Sequence, residues 1–378
     1  MWIHTMTAIQ FILAAGVVVY LTLNMLHLVR VRPARGPLPS HPFVTVCVPA
    51  RDEERDIRTC LTSLLAQDYP RFEVIAVDDN STDATGEIIR SLAEKHSNLV
   101  FVEGSPLPPG WLGKPHALHQ AQKRGRGDYL LFTDADVVFQ PHALTSAVHA
   151  MVTRNLDMLS LMPAAVFGSF WERAVQPVVF GFIAALTRFE KINRPGDPAA
   201  MGFGAFLMFK KEVYEKMGGH EAVKGEILED VMLARLAKRA GFRLLVADAK
   251  PLFSIRMYHS LGEIWTGWKK NLFIAMKKSI PRTLYHVGMI LGFVLTPWLV
   301  VLANLWQGTG WFWSGLSLSA LLLNLGAGTG LCDELKLRRA NALLFPLGAV
   351  IMAAIMLNSM AQVLVRGQTE WRGRTYSQ

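Results

Sequence analysis

The stretch Leu130-Leu131-Phe132-Thr133-Asp134-Ala135-Asp136-Val137-Val138-Phe139 sets two aspartates, one residue apart, into an apolar and aromatic run. Alternate residues of an extended chain project to one side, so Asp134 and Asp136 share a side. Two such carboxylates repel each other unless a cation sits between them. The competing reading is a polar turn after a strand, where Asp is common. The surrounding sequence decides between the two.

Outward from this stretch, short β-branched runs alternate with amphipathic helical runs, which is the pattern of an α/β sheet. Strands are predicted over Phe43–Val48, Phe72–Val77, Leu99–Val102 and Tyr129–Phe132. A helix over 53–67 places Ile57, Cys60, Leu61, Leu64 and Leu65 on one face. Ser81, Thr82 and Asp83 are cap candidates for a helix holding Ile88, Ile89 and Leu92. Asp78-Asp79 and Asp134-Ala135-Asp136 thus both fall at carboxyl ends of strands expected to be parallel. Ligands bind outside those ends in open α/β sheets.

The chain has 378 residues, 51% hydrophobic and only 18% charged, against about a quarter charged in soluble domains. Part of it therefore belongs in lipid. Met6 to Val29 carries no charge, and Arg30, Arg32 and Arg35 follow it, so an uncleaved transmembrane helix with its far end in the cytosol is expected. Three further apolar stretches follow: Leu284–Trp306, Trp311–Leu331 and Asn341–Val365. Arg366, Arg372 and Arg374 favour the cytosol, which three full crossings there would deny them, so one of the three stretches is expected to be interfacial or re-entrant. The net charge of +9 sits beside apolar segments, at Lys269, Lys270, Lys277, Lys278 and Arg282 among others. That pattern points to a membrane flank and not to nucleic acid. Cys47, Cys60 and Cys332 have no pairing or metal spacing; Cys47, in a strand pattern, and Cys60, on a helix face, read as buried thiols.

The expected organisation is a transmembrane helix over 1–30, a linker over 31–41, an α/β catalytic domain over 42–259, an amphipathic interfacial helix over 260–282, a transmembrane region of two or three helices over 283–366 and a basic tail over 367–378. The helix from Leu261 to Met276 gathers Leu261, Ile264, Trp265, Trp268, Leu272 and Met276 near one face; it is either interfacial or packed in a core. The apolar run Ser169–Arg188 carries the same two readings.

Several residues at the rim carry candidate chemistry. Mg²⁺ typically takes one or two carboxylates plus substrate phosphates, which suits Asp134 and Asp136. Asp79 lies beside residues able to cap the next helix and is free to face a nucleobase or ribose. Lys114 precedes Pro115 at a helix start, where a cation opposes the helix dipole and calls for an anion such as a diphosphate. Glu229-Asp230 opens a helix over 231–240, either as ordinary dipole partners or with Asp230 as a general base. Gly202-Phe203-Gly204-Ala205 is either a bulged strand or a place where backbone approaches a sugar.

Taken in order, Pro49-Ala50-Arg51-Asp52-Glu53-Glu54, Val77-Asp78-Asp79-Asn80-Ser81-Thr82-Asp83, Gly113-Lys114, Thr133-Asp134-Ala135-Asp136 and Glu229-Asp230 resemble the family 2 glycosyltransferases of GT-A fold, over roughly 43–273. Pro106-Leu107-Pro108-Pro109-Gly110-Trp111, Leu261-Gly262-Glu263-Ile264-Trp265 and Trp371-Arg372-Gly373-Arg374 are similar to the membrane-bound branch associated with hopanoid and carotenoid glycosylation. The resemblance implies a Rossmann-like nucleotide-sugar-binding domain joined to transmembrane helices in the cell membrane, the catalytic domain cytoplasmic. It implies a UDP-linked donor whose base meets Asp79, with Pro49, Ala50, Arg51, Glu53, Lys114 and Ala135 in the donor pocket. Asp134 would hold ribose or metal, Asp136 would hold Mg²⁺ or Mn²⁺, and Asp230 would be the base of an inverting transfer to a lipid acceptor. The Q/R-x-x-R-W motif of processive synthases is replaced by Gly267-Trp268-Lys269-Lys270-Asn271, which argues against polymerisation and leaves Trp268 and Lys269 as diphosphate candidates. Transfer to a polyprenyl phosphate, polysaccharide synthesis and a non-catalytic membrane scaffold are the alternatives.

Overall fold

The computed structural model describes residues 2–38, 40–366, 368–371 and 374–377, so Arg372 and Gly373 of the tail lie outside the described residues. The chain divides into two units. One holds Met1–His27, Phe167–Arg188 and Tyr258–Gln378; the other holds Leu28–Val166 and Phe189–Met257. In chain order the principal helices are α1 (Trp2–Leu26), α2 (Ile57–Leu65), α3 (Thr85–Ala93), α4 (Gly113–Arg124), α5 (Ala143–Thr153), α6 (Phe170–Leu186), α7 (Glu229–Arg239), α8 (Leu261–Ala275), α9 (Ile280–Val294), α10 (Thr296–Gln307), α11 (Trp311–Glu334) and α12 (Phe345–Arg366).

The second unit is built on a seven-stranded sheet. Its strands are β1 (Val44–Ala50), β2 (Phe72–Asp78), β3 (Leu99–Glu103), β4 (Tyr129–Phe132), β5 (Met158–Met162), β6 (Leu207–Lys210) and β7 (Leu244–Asp248), in the order β3-β2-β1-β4-β6-β5-β7. β1 runs parallel to both β2 and β4, and β2 parallel to β3, as the sequence predicts. β6, which the sequence does not predict, runs antiparallel to β4 and to β5. The interior strand β1 is apolar almost without interruption because both its faces are covered. Its Val44, Val46 and Val48 join Ile57, Leu61 and Leu64 of α2 and Val74 and Ala76 of β2 in one core. Each such valine, leucine or isoleucine contributes about 1.5–3 kcal/mol when fully buried.

α2 begins at Ile57, four residues later than its pattern suggests, because Asp52 takes a left-handed φ of 52° and the chain from Arg51 to Asp56 turns. α3 begins at Thr85, and its capping differs from the sequence reading. Only Asp83 reaches that helix start, where its Oδ1 accepts from Thr85 N at 3.0 Å. The Ser81 hydroxyl instead accepts from Asp52 N, and Thr82 binds the Asp52 carboxylate through its N at 2.8 Å.

The first unit is helical. α1, α11 and the segment Arg339–Val365 are each long and apolar enough to cross a membrane. The stretch expected over Leu284–Trp306 is two helices, α9 and α10, bent by 50° at Leu295. Pro297 in the first turn of α10 cannot donate to the preceding helix, which accounts for the break. The break is satisfied internally: Asn324 donates to Phe293 O at 2.8 Å and Thr296 to Gly292 O at 2.6 Å. Cys47 and Cys60 are buried free thiols, as expected, and Cys332 is one too.

Candidate active site

The run from Leu130 to Phe139 is split between two sheets. Its first part completes β4, and Val137–Phe139 joins a separate three-stranded sheet with Ala164–Ala165 and Phe253–Ile255. Thr133 to Asp136 form the passage between them. Thr133 N donates to Cys47 O at 3.2 Å and its hydroxyl to Ala205 O at 2.8 Å, which anchors the passage to β1 and to the turn before β6. Ala135 turns into the core, while Asp134 and Asp136 stay only partly buried, close enough for the charge of Asp134 to act on Asp136.

Asp134 is paired. Lys114 Nζ stands 2.6 Å from its Oδ1 and 2.9 Å from Glu229 Oε1. Burial alone would lower the Lys114 ammonium, but Asp134, Glu229 and Asp230 hold it well above its ordinary value. The start of α4 supplies this lysine, and its Pro115 fits the first turn without needing an amide partner. Asp136 is treated differently. Its Oδ1 is buried with no hydrogen-bond partner, and burial, then Asp134 and Glu53, push its carboxyl well above the usual range.

Asp230 lies in the first turn of α7. Its Oδ2 accepts from Gly204 N at 2.9 Å and its Oδ1 from Val231 N at 2.8 Å. Burial and the neighbouring Glu229 raise it to about 7, with Lys114 opposing the rise. The glycines of Gly202-Phe203-Gly204-Ala205 serve this acid. A Cβ on Gly202 would stand 2.3 Å from Asp230 O, and one on Gly204 would stand 2.7 Å from Lys114 Nζ. Their smallness lets the turn close on Asp230 and Lys114.

The loops after β1 and β2 form the other half of the rim. Arg51 donates to Asp79 O at 2.6 Å and to Asn80 O at 3.0 Å, and Asp79 N donates to Ala50 O at 2.7 Å. Asn80 takes a left-handed φ of 56°, a conformation asparagine tolerates. Gly104 passes so close that a Cβ would meet Asp78 O at 2.7 Å. Pro49 and Ala50 close β1, with the Ala50 side chain in the core and Pro49 half-buried. Glu53 N donates to Thr85 Oγ1 at 2.7 Å, and the Glu53 carboxylate acts on Asp136 through its charge.

Lys114, Asp134, Asp136 and Asp230 are therefore gathered around one rim, with Glu53 adding its charge beside Asp136 and with Arg51 and Asp79 on the loops after the adjoining strands. Residues 45–218 match the family described as glycosyl transferase family 2. That stretch is a family 2 glycosyltransferase domain. Two curated relatives are the 4,4'-diaponeurosporenoate glycosyltransferases of Staphylococcus haemolyticus (strain JCSC1435) and Staphylococcus aureus (strain MRSA252). The first is 24% identical over 351 residues, covering 88% of either chain. The second is 26% identical over 360 residues, covering 89% of either chain. The solved mannosyltransferase from Pyrobaculum calidifontis, in complex with GDP-Man and Mn²⁺, is 20% identical, with a TM-score of 0.54 over 96% of this chain and 99% of that one. The likeness shows a shared GT-A fold.

The glycosyltransferase has no cluster of three or more His, Cys, Asp or Glu ligands among its described residues. A hard divalent cation completed by diphosphate oxygens does not need one. The orphaned Asp136 Oδ1 beside Asp134 fits such an ion. Trp268 and Lys269 belong to the helical unit. Trp268 packs edge-on against Tyr258 and Phe180, and Lys269 lines a shallow cleft with Asn358, Ala361, Gln362 and Val365. Glu229 is the functional neighbour that the sequence reading left out of the donor pocket. It stood in plain view beside Asp230, but its partnership with Lys114 depends on tertiary structure.

Proposed function

We propose that this glycosyltransferase moves one sugar, with inversion, from a UDP-linked donor to a hydroxyl-bearing membrane lipid, in a divalent-cation-dependent reaction. The observation that carries this reading is the division of labour among the rim acids. Asp136 Oδ1 is buried without a partner, Asp134 is held by Lys114, and Asp230 is raised to about 7. In the reaction the acceptor oxygen forms a bond to the anomeric carbon. The bond from that carbon to the diphosphate oxygen breaks, and the nucleoside diphosphate leaves with the electron pair. Asp230, ionised above about pH 7, takes the acceptor proton, a base poised near the working pH. The amides of Gly204 and Val231 hold its carboxylate in place. Mg²⁺ or Mn²⁺ held by Asp136 and Asp134 would neutralise charge on the departing diphosphate. Lys114 adds a second positive charge there, and Arg51 fixes the backbone of Asp79 and Asn80 where the base would lie.

The relatives favour a second reading. They are named for 4,4'-diaponeurosporenoate, a carboxylate. A carboxylate or polyprenyl phosphate acceptor is already ionised and needs no base. Lipid extracts incubated with labelled nucleotide-sugars and Mg²⁺ or Mn²⁺ decide by mass spectrometry. A single sugar on a hydroxyl lipid, lost in Asp230→Asn, supports the first reading. A sugar ester or phosphodiester formed at undiminished rate by Asp230→Asn supports the second. For the membrane, we read a multi-pass protein of the cell membrane with its catalytic unit in the cytoplasm.

A further inference from the structure

We propose that the glycosyltransferase crosses the membrane three times, through α1, the bent pair α9/α10 and α11. Helix α12, apolar enough to be a span, lies instead within the leaflet on the side where α1 ends, with that leaflet's lipid as the partner of its exposed face. The helical unit itself defines two levels. Asn304 at the end of α10 donates to Thr7 at 2.8 Å, and His4 stacks on Trp313 at 4.4 Å. These contacts bring the start of α1, the end of α10 and the start of α11 together. At the other level, Tyr20 donates to Ala185 O at 2.7 Å and Asn24 to Thr187 O at 2.9 Å, while Gly181 packs on Leu331. The ends of α1, α6 and α11 therefore meet there.

α6 cannot cross. The chain leaves the transferase unit at Val166, enters α6 at Phe170 and is back in that unit by Phe189. A helix of 17 residues, with Pro177 inside it and such short connections, stays on one side. α12 is fastened to that level at two points. Gly348 lies against α6, where a Cβ would meet Ala174 O at 2.0 Å. Further along, the Ser359 hydroxyl donates to Lys269 O at 2.5 Å and accepts from Phe273 N at 3.1 Å, both in α8. The adjoining Trp268 of α8 stands edge-on to Phe180 of α6 at 6.1 Å. From Gly348 to Ser359 a helix advances about 16 Å. A crossing helix would spend that distance in depth, whereas α6 and α8 hold both points at one level.

Side-chain chemistry agrees. Leu347, Val350, Leu357 and Leu364 are exposed at helical spacing and would face acyl chains. Asn358 and Gln362 gather on the side of Lys269, and Asn358 accepts from Trp265, as suits an interface where tryptophan and lysine collect. The arrangement puts Lys336, Arg338, Arg339, Arg366 and Arg374 on one side with Arg30, Arg32 and Arg35. The uncharged loop Gln307-Gly308-Thr309-Gly310 falls on the other, in accord with the positive-inside rule. This inference rests on neither the donor nor the acceptor.

The test is labelling of single-cysteine variants of the full chain with a membrane-impermeant maleimide, in sealed vesicles of both orientations and after detergent. Ser97→Cys reports the transferase unit, Gln307→Cys the α10–α11 loop and Gln378→Cys the tail, with Thr309→Cys and Ser377→Cys as second positions. The expected result is that Gln378→Cys labels in the same orientation as Ser97→Cys, and Gln307→Cys only in the opposite one. Labelling of Gln378→Cys together with Gln307→Cys means that α12 crosses and overturns the proposal. Labelling of Gln307→Cys together with Ser97→Cys removes the crossing by α9/α10 and overturns it as well.

Discussion

Asp78-Asp79 and Asp134-Ala135-Asp136 are similar in sequence and stand on either side of β1, yet their surroundings oppose each other. At the first pair the backbone does the work: Asp78 accepts from Ser81 N at 3.1 Å, and Asp79 is fixed through its own amide and carbonyl. At the second pair the acids face one another and Glu53, with one lysine to share and one oxygen left without a partner. A self-sufficient loop is a recognition surface already in its working shape. A site with more buried negative charge than it can balance is unfinished, and what completes it must be positive. The same dipeptide chemistry thus yields a fixed contact in one place and a site that needs a ligand in the other.

Asp136→Asn is the sharpest way to break this contrast. It removes a buried carboxyl that burial and like charge disfavour, so the protein should melt a few degrees higher by scanning fluorimetry in the absence of donor. Sugar transfer should fall by roughly a thousandfold or more, because stabilisation of the leaving group is worth several kcal/mol. Unchanged activity would mean that the acid cluster is structural.

Asp230→Asn follows, with an expected loss of about 10²–10⁴-fold in kcat if a hydroxyl is deprotonated. The wild-type rate should climb as pH rises through about 7, and the variant should lose that limb. Stability carries the opposite sign. The folded pKa lies above the unfolded value, so the protonated acid favours the fold below about pH 4 and that contribution disappears as pH rises through about 7. Denaturation midpoints between pH 5 and 8 should fall with pH in the wild type and flatten in the variant.

Strands β1 to β4, the two acid pairs and the apolar stretches were legible in the sequence because alternation, helical periodicity and hydropathy are local signals. β6 was not: Leu207-Met208-Phe209-Lys210 is too short to carry a period, and its antiparallel seat is chosen by β4 and β5. The start of α3 misled for a related reason. Ser81 and Thr82 have cap chemistry, but the turn at Asp52 competes for both. The tie between Lys114 and Glu229 joins two helix starts far apart in the chain, and no spacing announces it.

Lys114→Met tests the charge balance from its positive side. Charge-assisted hydrogen bonds are worth about 1.5–3 kcal/mol, so KM for the donor should rise roughly ten- to a hundredfold. With its lysine gone, Asp134 should also draw on the divalent ion, and the ion concentration giving half-maximal rate should fall. That measurement separates a lysine that binds diphosphate from one that merely neutralises acids.

The smallest effect is expected at the self-sufficient pair. Arg51→Lys keeps the charge but withdraws the guanidinium Nη1, which alone reaches both Asp79 O and Asn80 O, and leaves a differently placed ammonium in its stead. Losing one of two such bonds should raise donor KM by only a few-fold, since a net hydrogen bond is worth about 1 kcal/mol. kcat should hold, because the acids of β4 and α7 do not depend on this loop for their partners. If Arg51→Lys instead lowered kcat as severely as Asp136→Asn, the two sides of β1 would be acting as one unit. The distinction between a preformed contact and an unfinished site would then have to be abandoned.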